Sequence, residues 1–273
     1  MHNGKTTKIK IPTLNEFDFQ IKYTETDRKS HAYGIGLHTH NEFELYINLS
    51  GDVSFLVENN LYDLSRGDVI IARPGEYHHC VYRSDAPHKL FWILFDCQKN
   101  KDILDFLKDG FRENYISPQG DLREELIDLC YALYHRSLTN EEKIYAFFRL
   151  FAILKQSKNA ISAKSVLPQD LYKIMDYIDC YIHEEITITD IAKALYISQS
   201  TLERRFKEAL DMTPLEYIRK KKLVLAAQML QEGKSVLTAG TSVGYNDNSY
   251  FIELFKHYYK ITPYQYKKKW HKT

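Results

Sequence analysis

Cysteine is scarce in this chain, at four in 273 residues, and Cys80, Cys97, Cys130 and Cys180 are too far apart to form a Cys-x-x-Cys pair. That spacing removes the support for a zinc finger or a disulfide framework. No run reaches the roughly 18 uncharged apolar residues that a membrane span needs; Tyr145 to Leu154 comes nearest and is cut by Arg149. The opening Met1-His2-Asn3-Gly4-Lys5 lacks the apolar block of a secretory signal, so the chain is read as cytoplasmic and without a membrane partner. Net charge is also nearly absent, at +1, and gives no whole-chain pull toward a polyanion. The balance is uneven, however. Residues 1–166 carry 21 basic against 23 acidic side chains, and residues 167–273 carry 16 against 13, the sign expected of a DNA-binding C-terminal half.

What is present is ordinary for a folded protein: 44% apolar residues, 27% charged and 14% aromatic, with 21 Tyr. This excludes a mostly disordered chain, and the length suits two modest domains or one large one. The first hundred residues read as short strands. Val53, Phe55 and Val57 share one face of a strand, Asn59-Asn60 is a turn, and Leu61 to Leu64 returns from it. Arg66-Gly67-Asp68 and Pro74-Gly75 punctuate further strands at Val69-Ile70-Ile71, Cys80-Val81-Tyr82 and Leu90 to Phe95. Such spacing predicts a barrel or sandwich. From about Asp102 the period becomes helical, with one stripe at Leu122, Leu126, Leu129 and Leu133 and another at Ile144, Phe147, Phe148, Phe151 and Leu154. These helices either pair two chains or cover the barrel. A linker runs from Gln156 to Pro168, and the remainder is helical.

The most informative feature is a repeat. Phe206-Lys207, Thr213-Pro214 and Tyr217 recur 49 residues later as Phe255-Lys256, Thr262-Pro263 and Tyr266. Each copy is preceded by a helix, a short turn and a second helix, which is helix-turn-helix spacing. In the first copy Thr189-Asp190 is expected to cap a helix through Ala194, Tyr196-Ile197 to turn, and Ser198 to cap Gln199 to Ala209. Small Ala192 suits the crossing of the two helices. In the second copy Ser235 starts the first helix, Val243-Gly244-Tyr245 turns, and Asp247 opens Asn248 to Tyr259. Leu215 to Glu232 would form a rod of about 27 Å at roughly 1.5 Å per residue, long enough to set two helices about one turn of DNA apart. Phe206, Phe255, Ile191 and Leu202 read as core. The runs Arg219-Lys220-Lys221-Lys222 and Lys267-Lys268-Lys269 read as solvated faces, with phosphate clamping as the alternative.

Residues 167–273 resemble the double helix-turn-helix DNA-binding domain of AraC/XylS-family transcription regulators. Val243-Gly244-Tyr245-Asn246-Asp247-Asn248-Ser249-Tyr250-Phe251, followed by Phe255-Lys256 and Thr262-Pro263, is close to that family's signature. The resemblance implies a first recognition face of Gln199, Ser200, Thr201, Glu203 and Arg204, with Arg204 where the family has a base-contacting arginine. It implies Asn246, Asn248, Ser249, Tyr250 and Glu253 in the second copy, and phosphate contact by Lys207 and Lys256. Three departures stand out. Ala239-Gly240 replaces Ile-Ala, which is expected to weaken packing and helix propensity; Glu253 replaces an arginine; Asp211 replaces a glycine. The first unit is therefore expected to be the better base reader.

In an extended strand His38, His40, Glu42, Glu44 and Tyr46 line one side, with Phe43 and Leu45 on the other. The spacing through Gly51 resembles the first motif of the cupin barrel, and Gly67-Asp68, Pro74 and His78 resemble its second, with one extra residue before Pro74 and a compressed Pro-Gly-Glu-Tyr-His. Sensors of this kind accompany AraC-type DNA readers. The resemblance implies an effector site at His38, His40, Glu44, Tyr46, His78 and Trp92, with Tyr23, Tyr46, Tyr77 and Trp92 offering surfaces on which sugars stack. The alternatives are a divalent metal held by His38, His40, Glu44 and His78, in an enzyme or a metal-responsive regulator, and plain structural polar groups. His79 should face away, and His31 and His88 read as surface or loop histidines.

The expected fold is α+β multidomain: a cupin-like effector-binding barrel (1–100), a helical dimerisation or linker region (101–166) and an all-α double helix-turn-helix (167–273). The expected function is sequence-specific transcription regulation with no catalysis and no required cofactor. The partners are double-stranded DNA, a small effector such as a sugar, and a second copy of the chain, with RNA polymerase as a further candidate.

Overall fold

The computed structural model describes residues 6–10, 18–26, 36–96, 113–135, 137–157 and 165–271. His31, Cys97, the change of period near Asp102 and the middle of the linker after Gln156 lie outside the described residues. The chain divides into two compact units, Met1–Val166 and Leu167–Thr273.

The first unit contains β1 (Thr6–Lys10), β2 (Asp18–Thr26), β3 (Phe43–Ser50), β4 (Val53–Val57), β5 (Asn60–Leu64), β6 (Val69–Ala72), β7 (His78–Tyr82), β8 (His88–Phe95), β9 (Tyr115–Ile116), α1 (Gly120–His135) and α2 (Asn140–Ser157). All strand pairs are antiparallel. They form a six-stranded sheet, β1-β2-β8-β3-β6-β9, and a three-stranded sheet, β5-β4-β7. Among the described residues the strands do not close into the expected barrel. The physical reason is that the large sheet is apolar on both faces, so it packs as a middle layer. Tyr46, Ile70, Leu90 and Trp92 face the small sheet's Val53, Phe55, Val57, Tyr62 and Leu64. On the opposite parity Phe19, Ile21, Leu45, Ile47, Ile71, Phe91 and Phe95 bury against Leu126, Leu133, Phe147 and Phe151 of the helices. The leucine stripe thus covers the sheet, and Leu122 and Leu129 pack on the same core.

Local details differ from expectation where backbone geometry decides. The β4–β5 turn is Glu58-Asn59, one residue early, with Glu58 at φ +49°. His38 and His40 precede β3 and are not part of it. His88 is no surface residue: it opens β8 and is buried. Tyr23 turns to the helix side, against Phe91, Tyr131 and Tyr134, and so leaves the proposed sugar-stacking set.

The second unit is helical: α3 (Gln169–Cys180), α4 (Ile188–Ala194), α5 (Gln199–Leu210), α6 (Pro214–Gln231), α7 (Val236–Ser242), α8 (Asn248–Tyr259) and α9 (Pro263–Trp270). Polar caps start six of them by satisfying orphan N–H groups. Ser198, Ser235 and Asp247 do so as expected. The α4 cap is Thr187, not Thr189, because Thr187 and Asp190 form a reciprocal capping box. The repeat changes step inside the turn. Thr187 and Ser235 are 48 apart, as are the positive-φ residues Tyr196 and Gly244, whereas Ser198 and Asp247 are 49 apart. The second turn thus holds one more residue. Asp211 and Lys260 both end their helices in the left-handed conformation, at φ +53° and +62°. That is why a glycine suits position 211.

Gly240 corrects the expectation of weak packing. A Cβ there would lie 2.8 Å from Phe251 Cδ1, so the missing methyl is where the ring sits. At the matching positions the first copy has Ala192 and Leu202, a larger small residue with a smaller large one. Gly240→Ala should therefore cost about 1–3 kcal/mol by overpacking, despite its better helix propensity. Adding Phe251→Leu should recover most of that in a urea titration, and additive losses would disprove the size-matching.

Candidate nucleic-acid interface and ligand site

Each second helix of the repeat buries one stripe and exposes the other. In α5 Leu202, Phe206 and Leu210 are buried; in α8 Phe251 and Phe255 are. Gln199, Ser200, Glu203, Arg204 and Lys207 are exposed and Thr201 is half-buried; Ser249, Tyr250, Glu253 and Lys256 are exposed and Asn248 is half-buried. Several are already engaged. Arg204 has a side chain 60% exposed, and its Nη1 donates to both carboxylate oxygens of Glu208 at 2.9 Å. Gln199 donates to Thr189 Oγ1 at 2.7 Å, and Ser200 and Thr201 hydroxyls meet Ser198. Lys207 donates to the Asp211 carbonyl at 3.0 Å. Asn246 lies in the turn before α8 and donates to Glu185 at 3.1 Å, a tie back to the first copy. Tyr196, read from the sequence only as a turn residue, is 96% exposed at the α4–α5 turn. Its positive φ, +55°, is legible only in the backbone.

The two copies are interlocked. His183 Nδ1 donates to Ser242 O at 2.8 Å, and Lys222 Nζ donates to Glu184 O. Lys221 and Lys222 are buried, so half of the basic run on α6 is neither a solvated face nor a phosphate clamp. Lys221 pairs with Asp179 of α3 and lies near the Tyr217 hydroxyl. Lys222 lies 5.5 Å from the Tyr245 ring centroid, and burial lowers its pKa.

In the first unit, His38, His40, Glu44 and His78 come together, with one ligand-capable atom from each within 4.8 Å of the others. His38 reaches β7 through a bridge to His78, whose paired N–H···O contacts are 3.2 and 3.0 Å. His40 Nε2 is 3.0 Å from Glu44 Oε2 and His78 Nε2 is 3.7 Å from it. Burial opposes the Glu44 charge, but the hydrogen bond from His40 and the nearby His78 ring hold its carboxyl well below the usual range. Burial likewise opposes His40's charge, and its hydrogen bond to Glu44 outweighs this and raises it. Burial, with His78 adjacent, lowers His38 to about 3, which keeps it neutral.

Tyr46 lies further along β3 and does not join this cluster. Its hydroxyl is 2.7 Å from His88 Nε2 and 3.5 Å from Cys80 Sγ. His88 Nε2 is also 3.2 Å from Asn48 Oδ1. Burial pushes the Cys80 thiol up to about 12, so it is protonated at neutral pH. Asn48 shares the parity of Glu44 and Tyr46, so the alternation could have exposed it; His88 comes from another strand and carried no such signal. Trp92 sits opposite Tyr46 in the β3–β8 register, with Lys22 Nζ 5.6 Å from its ring centroid.

A polar-lined β unit followed by two linked helix-turn-helix copies defines a ligand-binding transcription regulator. Family comparison agrees. Residues 26–170 match the AraC-like ligand binding domain, and residues 191–269 match a helix-turn-helix domain. The first match spans more than half of the chain, which therefore belongs to the AraC family of DNA-binding transcription regulators. Relatives include the uncharacterized HTH-type transcriptional regulator YdeC of Bacillus subtilis, 23% identical over 258 residues and 86% of each chain. The lactose operon transcription activator of Staphylococcus xylosus is 21% identical over 233 residues and 82% of each chain. Among solved structures, ToxT from Vibrio cholerae aligns over 91% of this chain and 97% of its own at 14% identity, with a TM-score of 0.40, too loose a likeness to carry an argument. The family consists of transcription regulators, not enzymes. No helix among the described residues is long and apolar enough to cross a membrane.

Proposed function

We propose that the protein reads an operator mainly through α5, with α8 as a weaker reader, in response to a small polar effector bound between the two sheets of the first unit. The observation that carries this is the pair of capped helices, each sealed on its apolar stripe and open on its polar one. Arg204 can turn from Glu208 to a guanine edge, and exchanging one charged partner for another costs little at an exposed site. Glu253 offers only an acceptor and repels phosphate. Lys207 and Lys256 act as phosphate contacts, and Asn246 mainly holds the two copies in register.

Arg204→Ala should therefore lose about 1–3 kcal/mol of discrimination between operator and unrelated duplex, while Glu253→Ala should leave it unchanged or tighten binding. A mobility-shift titration in which Glu253→Ala lost more than Arg204→Ala would reverse the assignment.

For the effector we propose a sugar or sugar derivative near His38, His40, Glu44, Tyr46, His78 and Trp92, a reading supported by the relative that activates a lactose operon. A thermal-shift screen of the full chain against sugars checks it, because a ligand that binds the folded state must raise its melting temperature. We also propose a cytoplasmic homodimer. Since the leucine stripe is spent on the sheet, its pairing face would be the side of α2 bearing exposed Tyr145 and Phe148. Sedimentation of Tyr145→Asp checks that face. RNA polymerase is the natural further partner if the operator response is activation.

A further inference from the structure

We propose that His38, His40, Glu44 and His78 form a resident site for a divalent first-row transition metal, and that the ion ties the two sheets together. The three rings share one arrangement. Nδ1 of His38 lies 2.8 Å from Gly36 O, that of His40 lies 2.9 Å from Glu42 O, and that of His78 lies 3.0 Å from Glu76 O. A proton on each Nδ1 satisfies these carbonyls and turns Nε2 toward the site; on His40, Nε2 gives up the proton it donates to Glu44 when an ion binds. Metal-binding histidines are oriented by such backbone tethers.

The ring nitrogens meet a carboxylate. All four groups offer a ligand atom within 4.8 Å of one another, and four ligands around a tetrahedral ion with bonds of about 2.1 Å stand roughly 3.4 Å apart. Only slight closure is needed. His78 gives independent support: its side chain is 1% exposed, and its Nε2 makes no hydrogen bond while aimed at Glu44, 3.7 Å away. A buried acceptor left this way needs a partner. Three imidazoles with one carboxylate suit zinc, manganese, iron, cobalt, nickel or copper, whereas magnesium and calcium prefer oxygen alone.

The four ligands belong to three pieces of chain. Glu44 lies on β3 of the large sheet, and His78 lies on β7 of the small one. His38 and His40 sit on the segment before β3, whose backbone ties include the His38–His78 bridge and Gly75 N to His40 O at 3.0 Å. An ion bound there would hold this segment and join sheets that otherwise meet through packing and a few side-chain hydrogen bonds, such as Asn48 Nδ2 to Leu64 O at 3.3 Å. The site shares the space assigned above to the effector, but its metal is read without sugar or DNA.

The test uses the full chain, stripped with a chelator and then titrated with cobalt(II). The expected result is one equivalent retained through gel filtration, a visible ligand-field spectrum and a higher melting temperature. His40→Ala and Glu44→Gln should each weaken cobalt affinity at least tenfold and alter the spectrum, as loss of a ligand requires. His135→Ala, at the exposed end of α1, should change nothing. His78→Ala also empties a buried position, at 1% side-chain exposure, and so mixes a packing loss with a ligand loss; His40 and Glu44 therefore carry the test. The inference falls if the wild-type chain retains no cobalt, or if both variants bind it with the wild-type spectrum. A sugar-induced thermal shift in metal-free protein, together with either of those outcomes, would remove the metal and leave the effector reading intact.

Discussion

Phe255→Ala should remove about 3–5 kcal/mol from the stability of the C-terminal unit, the cost of a large core aromatic cut to a methyl. Its ring is fully buried, with centroids 5.8 Å from Phe251, 4.5 Å from Tyr259 and 5.5 Å from Tyr266. Those neighbours come from α8 and α9, and they cluster with Leu223, Ala227 and Leu230 of α6, so no single side chain can move in to fill the space. Phe206, at the matching position, is equally buried and packs 5.3 Å from Tyr217. Phe206→Ala should cost a similar amount. Tyr264→Ala, at a site 67% exposed, should stay within about 0.5 kcal/mol. Urea denaturation followed by helical circular dichroism measures all three. A Phe255→Ala loss no larger than that of Tyr264→Ala would mean that the core of the second copy is not built around this ring.

Gly244→Ala should cost about 2–4 kcal/mol, because two penalties coincide. The residue sits at φ +75°, where a Cβ is strained, and that Cβ would lie 2.5 Å from Glu184 O and 2.9 Å from Lys222 Nζ. The carbonyl is backbone and cannot step aside without shifting the segment before α4. Gly233 separates the terms. It has φ +89°, yet its added Cβ would meet only His271, at 3.5 Å. Gly233→Ala should therefore show the conformational term alone, about 1 kcal/mol. Equal losses for the two alanines in denaturant titrations would mean that the contact between copies contributes nothing. If the expected difference appears, Gly244→Ala should also weaken operator binding more than its stability loss explains, since the two readers would lose their fixed spacing.

The features legible in the sequence were those decided by near neighbours. Caps at Ser198, Ser235 and Asp247, the turn at Gly244, and the alternation that sends Tyr46 inward and Leu45 toward the helices all depend on a few adjacent residues. Errors of one or two positions arose where hydrogen-bond partners competed, as when Thr187 displaced Thr189 as the α4 cap. The histidine cluster was only half legible. Parity gathered His38, His40 and Glu44, but the chain bends before β3, and His78 arrives from the other sheet through a bridge.

The sequence by itself determined that a stretch of short strands precedes a stretch of repeated helix pairs, because hydrophobic period and turn chemistry act over a few residues. It also determined which helix faces stay polar. Only the tertiary structure decided that the helices cover a sheet apolar on both sides, that His88, Lys221 and Lys222 are interior, and that Gly240 is matched to the Phe251 ring. Each of those outcomes depends on side chains distant in sequence competing for one volume. No local pattern records which of them will occupy it.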